Sequence, residues 1–123
     1  MHLMANRSRV LVVDDNEDVI EMLGVVLQLA GYEIATARDG ATALHVARDF
    51  APQIALLDIA LETADDGYAL AGQLKELEGA IKLVAVTGYA RDSDRARAFN
   101  AGFDAHVVKP VDPDVLVTLL AKL

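Results

Sequence analysis

Ile54-Ala55-Leu56-Leu57-Asp58 runs four apolar residues without alternation and stops on a carboxylate. An unbroken apolar run of this length reads as a strand buried on both faces, as in a parallel sheet covered by helices. Its interior has no use for an ionised side chain, but the carboxyl end of such a strand opens into the crevice where open α/β sheets bind ligands. Working outward, three more apolar runs end on polar groups. Val10-Leu11-Val12-Val13 ends on Asp14-Asp15-Asn16, Leu83-Val84-Ala85-Val86 on Thr87-Gly88, and His106-Val107-Val108 on Lys109-Pro110.

Helical patterns separate the runs. After Asp15 or Asn16 as a cap, Val19, Met22, Val26 and Leu29, with Ile20, Leu23 and Leu27, recur at helical spacing, and Gly31 is the expected stop. Tyr32 to Ala37 is mixed, as an edge strand should be. Gly40 to Phe50 reads as a second helix with Ala43, Val46, Ala47 and Phe50 facing in, stopped by Pro52. A loop from Ile59 to Asp66 leads to a third helix, from Gly67 or Tyr68 to about Glu78. Arg91 to Ala101 reads as a polar fourth helix whose apolar contribution is mostly Ala96, Ala98 and Phe99. Asp112-Pro113 is a cap followed by a first-turn proline, and Val115, Leu116, Leu119, Leu120 and Leu123 form the apolar face of a fifth helix.

This strict alternation predicts an α/β fold: a flavodoxin-like, doubly wound, five-stranded parallel sheet with five helices. The most apolar strands (one, three and four) belong in the centre, which fits the order 2-1-3-4-5 known for such sheets. Asp14, Asp15 and Asp58 then meet at the switch point between strands one and three.

Composition narrows the function classes. The 123 residues suit one domain spanning 1–123, with residues 1–8 expected to be a flexible N-terminal segment. Hydrophobic content of 54% excludes a disordered chain. With no cysteine there is neither a disulfide framework nor a thiolate ligand, and no apolar run approaches the ~20 residues of a membrane span. A cytoplasmic location without membrane insertion is therefore expected. A net charge of −8, from 11 basic and 19 acidic residues, disfavours direct nucleic-acid binding and suits a cation site.

Taken singly, each strand ending is an ordinary cap or turn; together they are a reactive set. Two carboxylates about 4 Å apart repel by roughly 4 kcal/mol at an effective dielectric near 20, so three in one crevice need a cation or raised pKa values. Lys109 supplies one positive charge. Oxygen ligands without His or Cys favour Mg²⁺. A carboxylate beside Mg²⁺, a hydroxyl and an ammonium is equipped for phosphoryl transfer, with Asp58 as nucleophile.

Val12-Val13-Asp14-Asp15-Asn16, Leu57-Asp58, Val86-Thr87-Gly88 and Val108-Lys109-Pro110 together resemble the receiver domains of two-component response regulators, from Val10 to the C-terminus. The resemblance implies that Asp58 accepts a phosphoryl group from a histidine kinase or histidine phosphotransfer protein. It further implies that Asp14, Asp15, Asp58 and the backbone carbonyl of Ala60 hold Mg²⁺, that Thr87 and Lys109 bind the phosphoryl group, and that the Lys109-Pro110 bond is cis. It makes the protein a signalling domain that catalyses only its own phosphorylation and dephosphorylation, with a downstream protein target on the face of helix four, strand five and helix five. The segment 101–112 most resembles receivers attached to hybrid histidine kinases. Two positions depart from the pattern. Leu61 to Gly67 lacks the usual proline and is one residue longer, and the usual aromatic switch position holds His106, which pairs with Thr87 in the family's switch. A phosphorylation-independent interaction domain would not need the full acid, Thr and Lys set. A Mg²⁺-dependent phosphatase of the haloacid dehalogenase type would place Asp-x-Asp where this chain has Asp14-Asp15-Asn16, and a nucleotide-binding domain would need a Gly-rich loop after the first strand.

Overall fold

Each apolar run forms a strand in a computed structural model, which describes residues 8–59, 67–77, 81–88, 96 and 99–123. The strands are β1 (Arg9–Val13), β2 (Glu33–Ala37), β3 (Ile54–Asp58), β4 (Lys82–Thr87) and β5 (Ala105–Val108). All pair in parallel, in the order β2-β1-β3-β4-β5. The helices among the described residues are α1 (Glu17–Leu29), α2 (Gly40–Phe50), α3 (Gly67–Lys75) and α4 (Pro113–Ala121). The helix expected over Arg91–Ala101 lies largely outside the described residues, as do residues 1–7. None of the described helices is long and apolar enough to cross a membrane.

Alternation along the central strands divides the core into two layers. Leu11, Val13, Ala55, Leu57, Leu83 and Ala85 pack with α2 and α3 through Ala43, Ala47, Leu70, Ala71 and Leu74. Val10, Val12, Ile54, Leu56, Val84 and Val86 take the other face with Leu23 and Leu27 of α1 and Leu116 and Leu120 of α4. Both faces of β3 are therefore covered, which is why its sequence shows no alternation.

The helix ends follow local chemistry. The Asn16 side chain accepts the Asp18 and Val19 amides, so Asn16 rather than Asp15 caps α1. At its other end Gly31 adopts φ +99°, and the Gly31 and Tyr32 amides donate to Gln28 and Leu27, a paired closure that a left-handed residue permits. Asp112 caps α4 ahead of Pro113 as expected. The α2 helix ends at Phe50, two residues before Pro52, with Ala51 between them left-handed at φ +51°.

Several apolar positions face solvent instead of the core. Leu29 is 84% exposed, and Met22 and Val115 are also exposed, because α1 and α4 carry apolar residues on more than the one stripe the sheet can cover. Phe99, expected to face inward, is 76% exposed. The aromatic buried at this junction is Phe103: Gly102, at φ +104°, turns the chain, and Phe103 meets Tyr68 edge to face with centroids 6.2 Å apart. Immediately after it, Asp104 Oδ2 accepts the Leu83 amide at 2.8 Å and Lys75 Nζ at 3.1 Å. The Asp104 amide donates to the Leu83 carbonyl at 2.7 Å. These bonds tie the amino ends of β4 and β5 to the end of α3. Burial alone would raise the Asp104 carboxyl, but the Leu83 amide and Lys75 hold it below the usual range.

Candidate functional site

Four strands deliver their terminal side chains to one crevice. The register pairs Val13 with Leu57 and Asp58 with Val86, so Asp14 and Asp15 leave β1 beside the end of β3. Thr87 pairs with Val108, which places Thr87 next to Lys109 across β4 and β5, and the Lys109 amide donates to the Thr87 carbonyl at 2.7 Å. The Lys109-Pro110 peptide bond is cis, as the resemblance implied. Asp14, Asp58 and Thr87 are the buried polar residues among those described.

Lys109 Nζ lies 3.3 Å from Asp14 Oδ2 and 3.2 Å from Asp58 Oδ2. Asp14 Oδ1 accepts the Asn16 amide at 2.9 Å, so each of its oxygens has a donor. Carboxylate oxygens of Asp14, Asp15 and Asp58 all lie within 4.8 Å of one another. Ala60, the remaining expected metal ligand, falls outside the described residues, as does the loop from Leu61 to Asp66. Three clustered hard oxygens without nitrogen or sulfur fit Mg²⁺, which binds through one or two carboxylates and keeps several waters.

The electrostatics of the crevice are opposed. Burial pushes the Asp14 carboxyl above its ordinary range and the Asp58 charge adds to this, while the Asn16 amide and Lys109 pull it down without cancelling the rise. For Lys109 burial acts to lower the pKa, but the bond to Asp58 and the charge of Asp14 outweigh it and hold the ammonium above its usual value. Because the folded-state pKa of Asp14 is raised, its charge costs stability at neutral pH, and that cost is relieved as pH falls through the raised value. Asp14→Asn should therefore stabilise the metal-free protein at pH 7. The gain should vanish in acid, where the wild-type carboxyl is itself protonated. Thermal melts in a metal chelator across pH 4 to 8 check this; destabilisation at pH 7 would contradict it.

Gly67 is a positioning residue that its expected role as a helix start did not reveal. A Cβ there would come within 2.7 Å of the Ile59 Cα and 2.8 Å of the Asp58 carbonyl oxygen. Only glycine lets α3 begin so close beneath the Asp58 backbone, and its amide donates to the Ile59 carbonyl. His106 is half-buried on β5. With Val107, Val115 and Leu119 it lines a hollow of about 370 Å³ between β5 and α4.

Comparison with known proteins bears on this arrangement. The family profile described as "Response regulator receiver domain" matches residues 10–121. The transcriptional regulatory protein PrrA of Mycobacterium tuberculosis is 36% identical over 115 residues, covering 94% of this chain and 48% of that protein. The chain thus spans about half the length of that relative. An uncharacterised 14.6-kDa protein of Leptolyngbya boryana is 34% identical over 113 residues, covering 90% of this chain and 86% of that protein. The crystal structure of a CheY-like receiver domain protein from Methanospirillum hungatei JF-1 superposes with a TM-score of 0.86 at 30% identity, covering 95% of this chain and 93% of that one.

Proposed function

This chain belongs to the response regulator receiver domain family, and from that premise we propose that Asp58 is its phospho-acceptor and that a sensor histidine kinase or a histidine phosphotransfer protein is the donor. The observation that carries the proposal is Lys109 Nζ, held between Asp14 and Asp58 with Asp15 alongside.

The step balances simply. An Asp58 carboxylate oxygen attacks the phosphorus of the donor's phosphohistidine. The P–N bond breaks, its electron pair stays on the imidazole, and an O–P bond makes Asp58 an acyl phosphate. Lys109 follows the negative charge from the Asp58 oxygen to a phosphoryl oxygen, and the Thr87 hydroxyl donates to another. Asp14 and Asp15, with Asp58 and the Ala60 carbonyl, would hold Mg²⁺, which when bound supplies positive charge to the phosphoryl oxygens. Attack of water on phosphorus later returns the Asp58 carboxylate and inorganic phosphate. No other product forms, so the catalysis is confined to the domain's own phosphorylation and its reversal.

Thr87 and His106 are the proposed switch. Thr87 moving toward the phosphoryl group changes the space beside β5, and His106 re-orients against it. The altered face on β5 and α4 then engages a downstream protein; the fourth helix expected to complete this face lies largely outside the described residues. The acidic chain makes no direct nucleic-acid contact in this reading, and it acts in the cytoplasm without membrane insertion.

Mg²⁺-dependent uptake of a phosphoryl group from acetyl phosphate tests the proposal. Asp15, half-exposed and free of the contacts that hold Asp14, is the better candidate for direct coordination. Asp15→Ala should weaken Mg²⁺ binding and slow phosphorylation together, each at least tenfold, in the range lost with a metal-site group. Asp14→Ala should do so less. Wild-type Mg²⁺ affinity in a double Asp14/Asp15 variant would remove the metal site from the account.

A further inference from the structure

We propose that Arg38 and Glu17 form a compensating charge pair on the rim of the acid crevice: paired, they leave the Mg²⁺ affinity of the site level, and loss of either one shifts it in opposite directions, although neither side chain belongs to the ligand set. The inference rests on the receiver reading above and extends it to two residues which that reading leaves without a role.

Backbone pairing places the two residues. Val13 pairs with Ala37 at the ends of β1 and β2, and the Asp14 amide donates to the Ala37 carbonyl at 3.1 Å. Arg38, the next residue, therefore leaves β2 level with the acid pair leaving β1. The residue after it, Asp39, is the cap of α2, accepting the Thr42 amide at 2.8 Å. From this one-residue step Arg38 Nη1 reaches Glu17 Oε1 at 3.3 Å, and Nη2 donates to the Asp15 carbonyl at 3.4 Å. Glu17 in turn opens α1. The capping work there is done by Asn16, so the Glu17 carboxylate is left to the guanidinium.

The side chains are 60% and 74% exposed, and an exposed pair of this kind adds little to stability. Its field is another matter. The guanidinium touches the backbone of Asp15, whose carboxylate clusters with those of Asp14 and Asp58, and a divalent ion feels each nearby charge twice over. Paired, Arg38 and Glu17 nearly cancel. Unpaired, Glu17 would deepen the negative potential of the crevice and Arg38 would reduce it. Lys109 offsets charge from inside the crevice; outside it, each member of this pair holds the field of the other in check.

The test is Mg²⁺ titration by calorimetry of the wild type, Arg38→Gln, Glu17→Gln and the double variant, at low and at high ionic strength. Arg38→Gln should tighten Mg²⁺ about threefold and Glu17→Gln should weaken it about threefold, as a unit charge across a short, water-filled gap does to a divalent ion. The double variant should return to the wild-type value. At about 1 M salt, where the screening length is about 3 Å, the differences should collapse. A tether without a field would instead shift both single variants the same way, in thermal midpoint and not in affinity. Single variants that change affinity in the same direction, or not at all, while the wild type binds Mg²⁺, overturn the compensating pair and leave the receiver reading standing. A wild type that binds no Mg²⁺ overturns both.

Discussion

Asp58→Asn will lose phosphorylation altogether, not merely slow it. Incubated with Mg²⁺ and acetyl phosphate, the wild type should gain one acid-stable, base-labile phosphoryl group, and the variant should stay at background. The substitution keeps the size of the side chain and one oxygen, so β3 and the surrounding core should hold. What disappears is the charged oxygen that attacks phosphorus, for which an amide is no substitute. Asp14 and Asp15 are carboxylates too, but Asp14 is held by the Asn16 amide and Lys109. Asp58 is itself the last residue of its strand, β3, between β1 and β4, with the Lys109 ammonium at 3.2 Å, whereas Asp14 and Asp15 follow the end of β1. Intact-protein mass measurement reads the result. An Asn variant phosphorylated at the wild-type rate would end the assignment.

Lys109→Met should be the most destabilising single change in the crevice, and the size of its effect should depend on both metal and pH. The side chain is nearly as long, so packing loss is small. Its removal leaves two carboxylates, exposed to only 2% and 6%, with no cation between them. Breaking a buried ion pair from one side typically costs several kcal/mol. Because Lys109 is about a third exposed, a loss of about 2–3 kcal/mol at pH 7 in metal-free buffer is expected. Mg²⁺ should restore part of it by supplying charge to the same oxygens. Acid should restore part as well, since protonation of the Asp14 carboxyl, already raised by burial, removes one of the two charges. The sign for Lys109 itself runs the other way. Its folded pKa is raised, so its contribution is complete below the ordinary lysine value and is lost only as pH rises through the higher folded one. Denaturant melts with and without Mg²⁺ at pH 5 and pH 7 measure this. A loss that is the same under all four conditions would mean that Lys109 acts through packing and not charge.

Much of this was legible in the sequence for one physical reason: a strand covered on both faces must be apolar throughout, so its polar ending stands out. Asp14, Asp58 and Thr87 are endings of that kind, Lys109 follows the shorter and less covered run of β5, and the most apolar runs mark only the centre of the sheet, which fits an order already known for such folds. Helices gave less. Apolar residues occur around most of α1, so periodicity could not tell Leu23 and Leu27, which are buried, from Leu29, which is exposed. Two phenylalanines flank Gly102 closely, and only the backbone turn there decides that Phe103 enters the core and Phe99 does not. Two contacts between charged residues outside the crevice and far apart in sequence left no trace. Arg38 meets Glu17 across 21 residues, and Asp104 meets Lys75 across 29. Nothing in the pattern of surface charges distinguishes these pairs from solvated neighbours. The pattern leaves the start of α3 open between Gly67 and Tyr68, and the reason for a glycine there, the nearness of the Asp58 backbone, is a fact of three dimensions.

The central claim is that one carboxylate among three clustered ones takes the phosphoryl group. Borohydride reduction converts an aspartyl phosphate to homoserine and leaves free aspartates untouched. Reducing the phosphorylated protein and sequencing its peptides by mass spectrometry locates the acceptor directly. Homoserine at position 58, and at neither 14 nor 15, is the predicted result; homoserine at 14 or 15 with aspartate retained at 58 would contradict the account.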